Sequence, residues 1–219
     1  ARRFNAREDV RRLLGETLRR MVADGTPPDV ITFAGNGEPT LHPEFGAVID
    51  DTLRLRDTLC PAARVSVLSN ATQLHREEVR AALLRVDNNI LKLDSAFDET
   101  VRRINHPQNA AYTVRGVVEQ MKRFEGHMIL QTMFLRGECN GAPNDNPTER
   151  EVAAWLGLRA QIRPRPVTHY SPAPYTASPT PDPGPRPGRP RGGGPAGRGP
   201  RGAAGTGPRC SPRRGRRCT

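Results

Sequence analysis

Val30-Ile31-Thr32-Phe33-Ala34-Gly35-Asn36-Gly37-Glu38-Pro39-Thr40-Leu41-His42-Pro43-Glu44-Phe45 is the stretch on which the reading of this chain turns. A short run of β-formers ends in two glycines flanking an amide, and then in a carboxylate fixed before a proline. Backbone N–H and C=O groups therefore stand bare at a strand end, where a ligand can reach them.

The flanking sequence repeats a helix–strand alternation. Val10, Leu13, Leu14, Leu18 and Met21 recur at three- and four-residue steps, which predicts an amphipathic helix over 7–23, stopped by Asp24-Gly25-Thr26-Pro27-Pro28. After the strand at 30–34, Phe45, Val48, Ile49, Leu53 and Leu55 predict a helix over 44–58. Strands follow at 65–68, 89–93 and 127–135, and helices at 77–86, 98–104, 113–124 and 148–158. The last helix opens on Thr148-Glu149-Arg150-Glu151, which has the form of a capping box.

Strands separated by helices imply right-handed βαβ units and a parallel sheet, hence an α/β barrel or doubly wound fold. In such folds ligands gather at the carboxyl ends of the strands. Four polar or glycine-rich segments occupy those ends: Gly35-Asn36-Gly37-Glu38, Ser69-Asn70-Ala71-Thr72, Asp94-Ser95-Ala96, and Gln131-Thr132 on to Arg136-Gly137-Glu138. A parallel sheet places all four on one rim, so a single cleft can collect them. Lys92 alternates with Leu91 and Leu93 and is expected to face the interior, beside an acid such as Asp94 or Glu38.

The 219-residue chain carries a net charge of +11, but eleven arginines and one aspartate place +10 of it in residues 165–219. Fourteen of the 22 prolines lie at or after Pro164, and hydrophobic periodicity ends there. Residues 1–164 are read as the folded domain and 165–219 as a disordered Pro/Arg/Gly tail that cannot offset its ordering entropy. In a chain with 32 Arg and two Lys, that tail also reads as an out-of-frame translation of GC-rich coding sequence. Resequencing the codons near Arg163 and finding the frame intact removes that reading.

No apolar run reaches the length of a membrane span, so a cytoplasmic protein that does not engage a membrane is expected. Cys60, Cys139, Cys210 and Cys218 form no CxxC pair or disulfide framework, and His42, His75, His106, His127 and His169 lack the spacing of a shared metal site.

The segments Pro28 to Pro43, Val67-Leu68-Ser69-Asn70-Ala71-Thr72, Leu91-Lys92-Leu93-Asp94-Ser95-Ala96 and Ile129 to Gly137, in that order, resemble the radical S-adenosylmethionine (radical SAM) enzymes. The likeness is to their iron-sulfur oxidoreductase-like branch. It implies a partial (β/α)6 TIM-like barrel in which Gly35, Asn36, Gly37 and Glu38 bind the methionine amino group of S-adenosylmethionine. Ser69, Asn70, Lys92, Asp94, Ser95 and Gln131 line the rest of the cofactor pocket by the same resemblance. It also implies a [4Fe-4S] cluster, an electron donor such as flavodoxin or ferredoxin, and a substrate that is a tRNA, a peptide or a protein. The family reaction is reductive cleavage of S-adenosylmethionine to a 5′-deoxyadenosyl radical that takes hydrogen from substrate.

The chain departs from the family pattern most at the CxxxCxxC loop, whose three thiolates hold the cluster and leave one iron open, and which is absent; Asn36 also stands where the common motif has a glycine. The sequence opens on Ala1 without Met and is read as truncated at its N-terminus, an incomplete enzyme inactive on its own. The rival reading is a non-enzymatic protein that binds nucleic acid through the arginine- and glycine-rich tail.

Overall fold

Residues 4–34, 37–139, 142–143 and 145–170 are described by a computed structural model. Gly35, Asn36 and the whole of 171–219 lie outside them. The chain divides into units 1–176 and 177–219, and all described residues belong to the first.

Helix α1 (Arg7–Ala23) precedes strand β1 (Val30–Phe33), and a short 3-10 turn (Pro39–Leu41) leads into α2 (Phe45–Leu59). Then come β2 (Arg64–Ser69), α3 (Glu77–Leu83), β3 (Asn88–Lys92), α4 (Asp98–Asn105), α5 (Val114–Lys122) and β4 (Ile129–Met133). A two-residue hairpin, β5 (Glu138–Cys139) with β6 (Ala142–Pro143), precedes α6 (Glu149–Ile162) and β7 (Val167–Tyr170). The sheet therefore takes in residues beyond position 164, where the folded part was expected to stop.

Five strands form one sheet in the order β1-β2-β3-β4-β7, every neighbouring pair parallel. The order follows the chain without reversal, so successive right-handed crossovers lay their helices on the same face. That is the winding of a barrel and not of a doubly wound sheet, whose order reverses at a switch point. Five parallel strands with helices outside are compatible with a partial TIM-like fold.

Strand periodicity explains which face is covered. Phe33, Val65, Val67, Leu91, Leu93, Leu130 and Val167 point toward the helices and pack with Phe45, Ile49, Val79, Leu83, Val101, Val118, Met121, Phe124 and Trp155. A smaller cluster of Leu18, Cys60 and Ala63, with Leu14, Ile31, Leu55 and Leu59 against it, seats α1 and α2. The alternate residues Val30, Thr32, Leu68, Asn88, Ile90, Lys92, Ile129, Gln131 and Met133 are exposed or half-buried on the opposite face.

Candidate functional site

Because every strand of the large sheet is parallel, the segments that follow β1, β2, β3 and β4 emerge along the same edge. The first two are tied by one side chain. Glu38 sits just past β1, and its Oε1 accepts the Ser69 hydroxyl at 2.8 Å, the Thr40 N–H at 3.1 Å and the Thr40 hydroxyl. Its Oε2 accepts the Asn70 N–H at 2.6 Å. Arg76 donates to the Thr40 carbonyl at 3.1 Å and holds the turn from below. Glu38 is thus committed to shaping the rim, the orienting role that a carboxylate surrounded by donors fills.

Gly37 has φ +140°, a conformation reserved for glycine, and a Cβ built there meets no atom within 4 Å. Glycine is required at this position by backbone conformation, and the space beside it is open. Asn70 is exposed, and its Oδ1 accepts from the N–H of Thr72 at 3.1 Å and from its hydroxyl at 2.7 Å, so the amide is held in place at the tip of β2.

A second carboxylate ties the next two tips. Asp94, 2% exposed, accepts the Met133 N–H at 2.8 Å through Oδ1, and the Asn105 amide at 2.9 Å through Oδ2. The Lys92 ammonium lies 3.1 Å from the same Oδ2. A buried carboxylate needs such partners, and these span β3, β4 and α4. Asp94 does not cap the helix that follows it, since the N-cap of α4 is Phe97. Lys92 is 28% exposed on the uncovered face, with Gln131 in register beside it. An ammonium has three donors, so a Lys92 paired with Asp94 still offers hydrogen bonds to an anion at the mouth.

Ser95 turns the other way. It is 1% exposed; its hydroxyl donates to Glu151 Oε2 at 2.6 Å and accepts the Phe97 N–H at 2.9 Å. Glu151 also takes the Thr100 hydroxyl at 2.6 Å. The capping box is therefore half formed: the Thr148 hydroxyl accepts the Glu151 N–H at 3.3 Å, while the Glu151 carboxylate fastens α6 to α4 and the β3 tip. Trp155, the one tryptophan of the chain, donates its indole N–H to the Leu93 carbonyl at 2.7 Å from the same side. Behind this tip Tyr112 is buried, and desolvation, with the charges of Asp94 and Asp98 second, pushes its pKa up to about 12.

The structure thus groups Glu38 with Ser69 and Asn70, and Lys92 with Asp94 and Gln131, and directs Ser95 toward α6. Sequence reasoning missed Thr40 and Glu151 as rim residues, and also Asn146, whose side-chain amide donates to the Asp94 and Met133 carbonyls. Only Glu151 carried a signal, the capping pattern, and that pattern named the wrong partner for its carboxylate.

A [4Fe-4S] cluster does not fit the residues present. The four cysteines make no closely spaced triplet, and Cys60 is buried between α1 and α2 at the amino end of β2, away from the rim. Desolvation raises the pKa of that thiol, the opposite of what a thiolate ligand needs.

No family model matches the chain. Among solved structures, Streptococcus suis SuiB bound to S-adenosylmethionine superposes with a TM-score of 0.53 at 12% identity, covering 80% of this chain and 36% of that one. This chain therefore shares the fold of SuiB. Its curated sequence relatives include UPF0026 proteins. One from Synechocystis sp. is 32% identical over 142 residues, 64% of this chain and 48% of that protein. One from Methanocaldococcus jannaschii is 27% identical over 137 residues, covering 61% of this chain and 40% of its own length. The chain spans about half the length or less of these relatives. No helix among the described residues is long and apolar enough to cross a membrane.

Proposed function

We propose that this chain supplies the S-adenosylmethionine-binding rim of a radical SAM enzyme related to the UPF0026 proteins. The observation that carries the reading is the pair of carboxylate ties: Glu38 joins the tips of β1 and β2, Asp94 joins those of β3 and β4, and Lys92 is left half-exposed between them and the uncovered face. On this reading the loop 35–38 meets the methionine ammonium through backbone carbonyls, and Asn70, Lys92 and Gln131 supply polar contacts across the mouth. Ser69, Asp94 and Ser95 act behind them by holding those tips.

Reductive cleavage of S-adenosylmethionine is the activity proposed for the whole protein, with an electron donor such as flavodoxin or ferredoxin. A peptide is the substrate class that SuiB, solved with its precursor peptide, suggests. The nucleic-acid reading rests on the tail, of which residues 171–219 lie outside the described residues.

Calorimetric titration of the full chain with S-adenosylmethionine tests the proposal. Lys92→Ala is expected to weaken binding about tenfold or more, the loss of one hydrogen bond to a charged group. Asn88→Ala, at the opposite end of the same strand, is expected to leave affinity unchanged. Absence of binding by the unaltered chain, or equal binding by Lys92→Ala, overturns it.

A further inference from the structure

The tips of β3 and β4 are joined a second time, by a residue in the connection to α6. Asn146 is 2% exposed and its amide is engaged at both ends: Nδ2 donates to the Asp94 carbonyl at 2.8 Å and to the Met133 carbonyl at 2.7 Å, and Oδ1 accepts the Leu135 N–H at 2.6 Å. Its backbone N–H donates to the Leu135 carbonyl at 3.1 Å. The segment leaving β4 and the segment returning to α6 are therefore paired at Leu135 and Asn146, and that pair is anchored to both strand ends.

Two donors and an acceptor on one short planar head are what this junction consumes, and among side chains of this length only asparagine provides them. Leucine in place of Asn146 removes the side-chain partner of two carbonyls and one N–H; aspartate leaves its own charge against the two carbonyls. The Asp94 carbonyl belongs to the residue whose carboxylate positions Lys92, and the Met133 carbonyl to the residue whose N–H that carboxylate accepts. Asn146 thus fixes both backbone anchors of the Lys92–Asp94 pair without touching the open face.

We infer that Asn146 is a positioning residue of the binding mouth: it sets the spacing of the β3 and β4 tips and, through Asp94, the direction in which Lys92 presents its ammonium to an anionic group of the ligand. The inference rests on the reading of this mouth as the S-adenosylmethionine site. The charged groups around the junction are Lys92 at the end of β3 and Asp94 just past it, Glu151 from α6, and Arg136 and Asp145 in the connecting segment.

The test compares the full chain with Asn146→Asp by S-adenosylmethionine titration and by amide hydrogen exchange. Asn146→Asp keeps the acceptor for Leu135 and loses both donors. At about pH 8 it is expected to bind about tenfold more weakly, while the Leu135 amide stays protected and the Met133 amide exchanges faster. At about pH 5 a protonated carboxyl in that position donates to one carbonyl, so the affinity ratio to the unaltered chain narrows. A simple loss of loop folding instead exposes Leu135 as well and gives no recovery. Equal affinity at both pH values overturns the inference. If the unaltered chain takes up no S-adenosylmethionine, the reading of the site falls by itself. Exchange then decides on Asn146: an unchanged Met133 amide in Asn146→Asp refutes the positioning role, and a selectively faster one sustains it.

Discussion

The Glu38 carboxylate accepts the backbone N–H of Asn70 at 2.6 Å, so a side chain from the loop after the first strand satisfies the first peptide donor beyond the second. Its other oxygen takes the Ser69 hydroxyl. Glu38→Gln keeps the shape but replaces one acceptor oxygen by an N–H₂ that faces a donor. The variant is expected to lose about 1–3 kcal/mol of stability, the cost of a part-buried donor left without its acceptor. Urea unfolding gives the loss, and amide exchange should show Asn70 opening while Met133, on the far pair of strands, stays as it was. A uniform change at both sites would mean that Glu38 does not act locally.

Much of this arrangement was legible in the sequence, for a physical reason. The strands at Val30–Phe33, Arg64–Ser69, Asn88–Lys92 and Ile129–Met133 are short β-branched or apolar runs between polar breaks, and the helix patterns between them allow only parallel crossovers. That logic put Glu38, Ser69, Asn70 and Asp94 on one rim, and alternation with Leu91 and Leu93 turned Lys92 to the opposite face from them. It did not reveal that Ser95 faces Glu151, because both faces of β3 are polar near its tip and alternation breaks down past Leu93. Asn146 was invisible because its role depends on two carbonyls and one N–H brought together by tertiary structure, and a lone asparagine before a proline reads only as a turn.

Asp51 on α2 receives two hydrogen bonds from Arg7 of α1, Nε at 2.7 Å and Nη2 at 3.1 Å, and a further contact from Arg54. The Arg7 hydrogen bonds hold its pKa below the ordinary 3.8, against the opposing effect of burial. A depressed carboxylate contributes stability that is present above its unfolded value and is lost as pH falls through the folded one. Stability should therefore decline as pH drops below 3.8, and Asp51→Asn should show a shallower acid decline from a lower starting point. Chemical denaturation across that range checks it; parallel acid limbs in the two proteins would assign the decline to other carboxylates.

Gly126, between α5 and β4, has φ +81°, and a Cβ there would stand 2.5 Å from the Arg163 carbonyl oxygen. Its own carbonyl accepts the N–H groups of Met128 at 2.8 Å and Arg165 at 3.1 Å, which brings the entries of β4 and β7 together. Gly126→Ala combines a disfavoured backbone conformation with a collision against backbone that cannot swing aside, for an expected loss of about 2 kcal/mol or more. Gly25→Ala is the comparison: φ is +71° but a Cβ there meets nothing within 4 Å, so only the conformational part, about 1 kcal/mol, remains. Comparable losses in the two variants would show that the collision is relieved by movement of the β7 entry.

Tyr112 provides the opposite limb of the pH profile. It is buried beside Asp94 and Asp98, and desolvation with those two negative charges raises its pKa from 10.0 to about 12. Between these values the unfolded chain has released the phenolic proton and the folded chain retains it, so rising pH favours unfolding throughout the window. The chain has three tyrosines, and an ultraviolet titration of phenolate should show one ionising late or only with unfolding. Tyr112→Phe removes that late phase and makes the alkaline loss of stability shallower, since no proton remains there for the unfolded state to release. Retention of the late phase in Tyr112→Phe would place it on another tyrosine and detach the effect from the Asp94 environment.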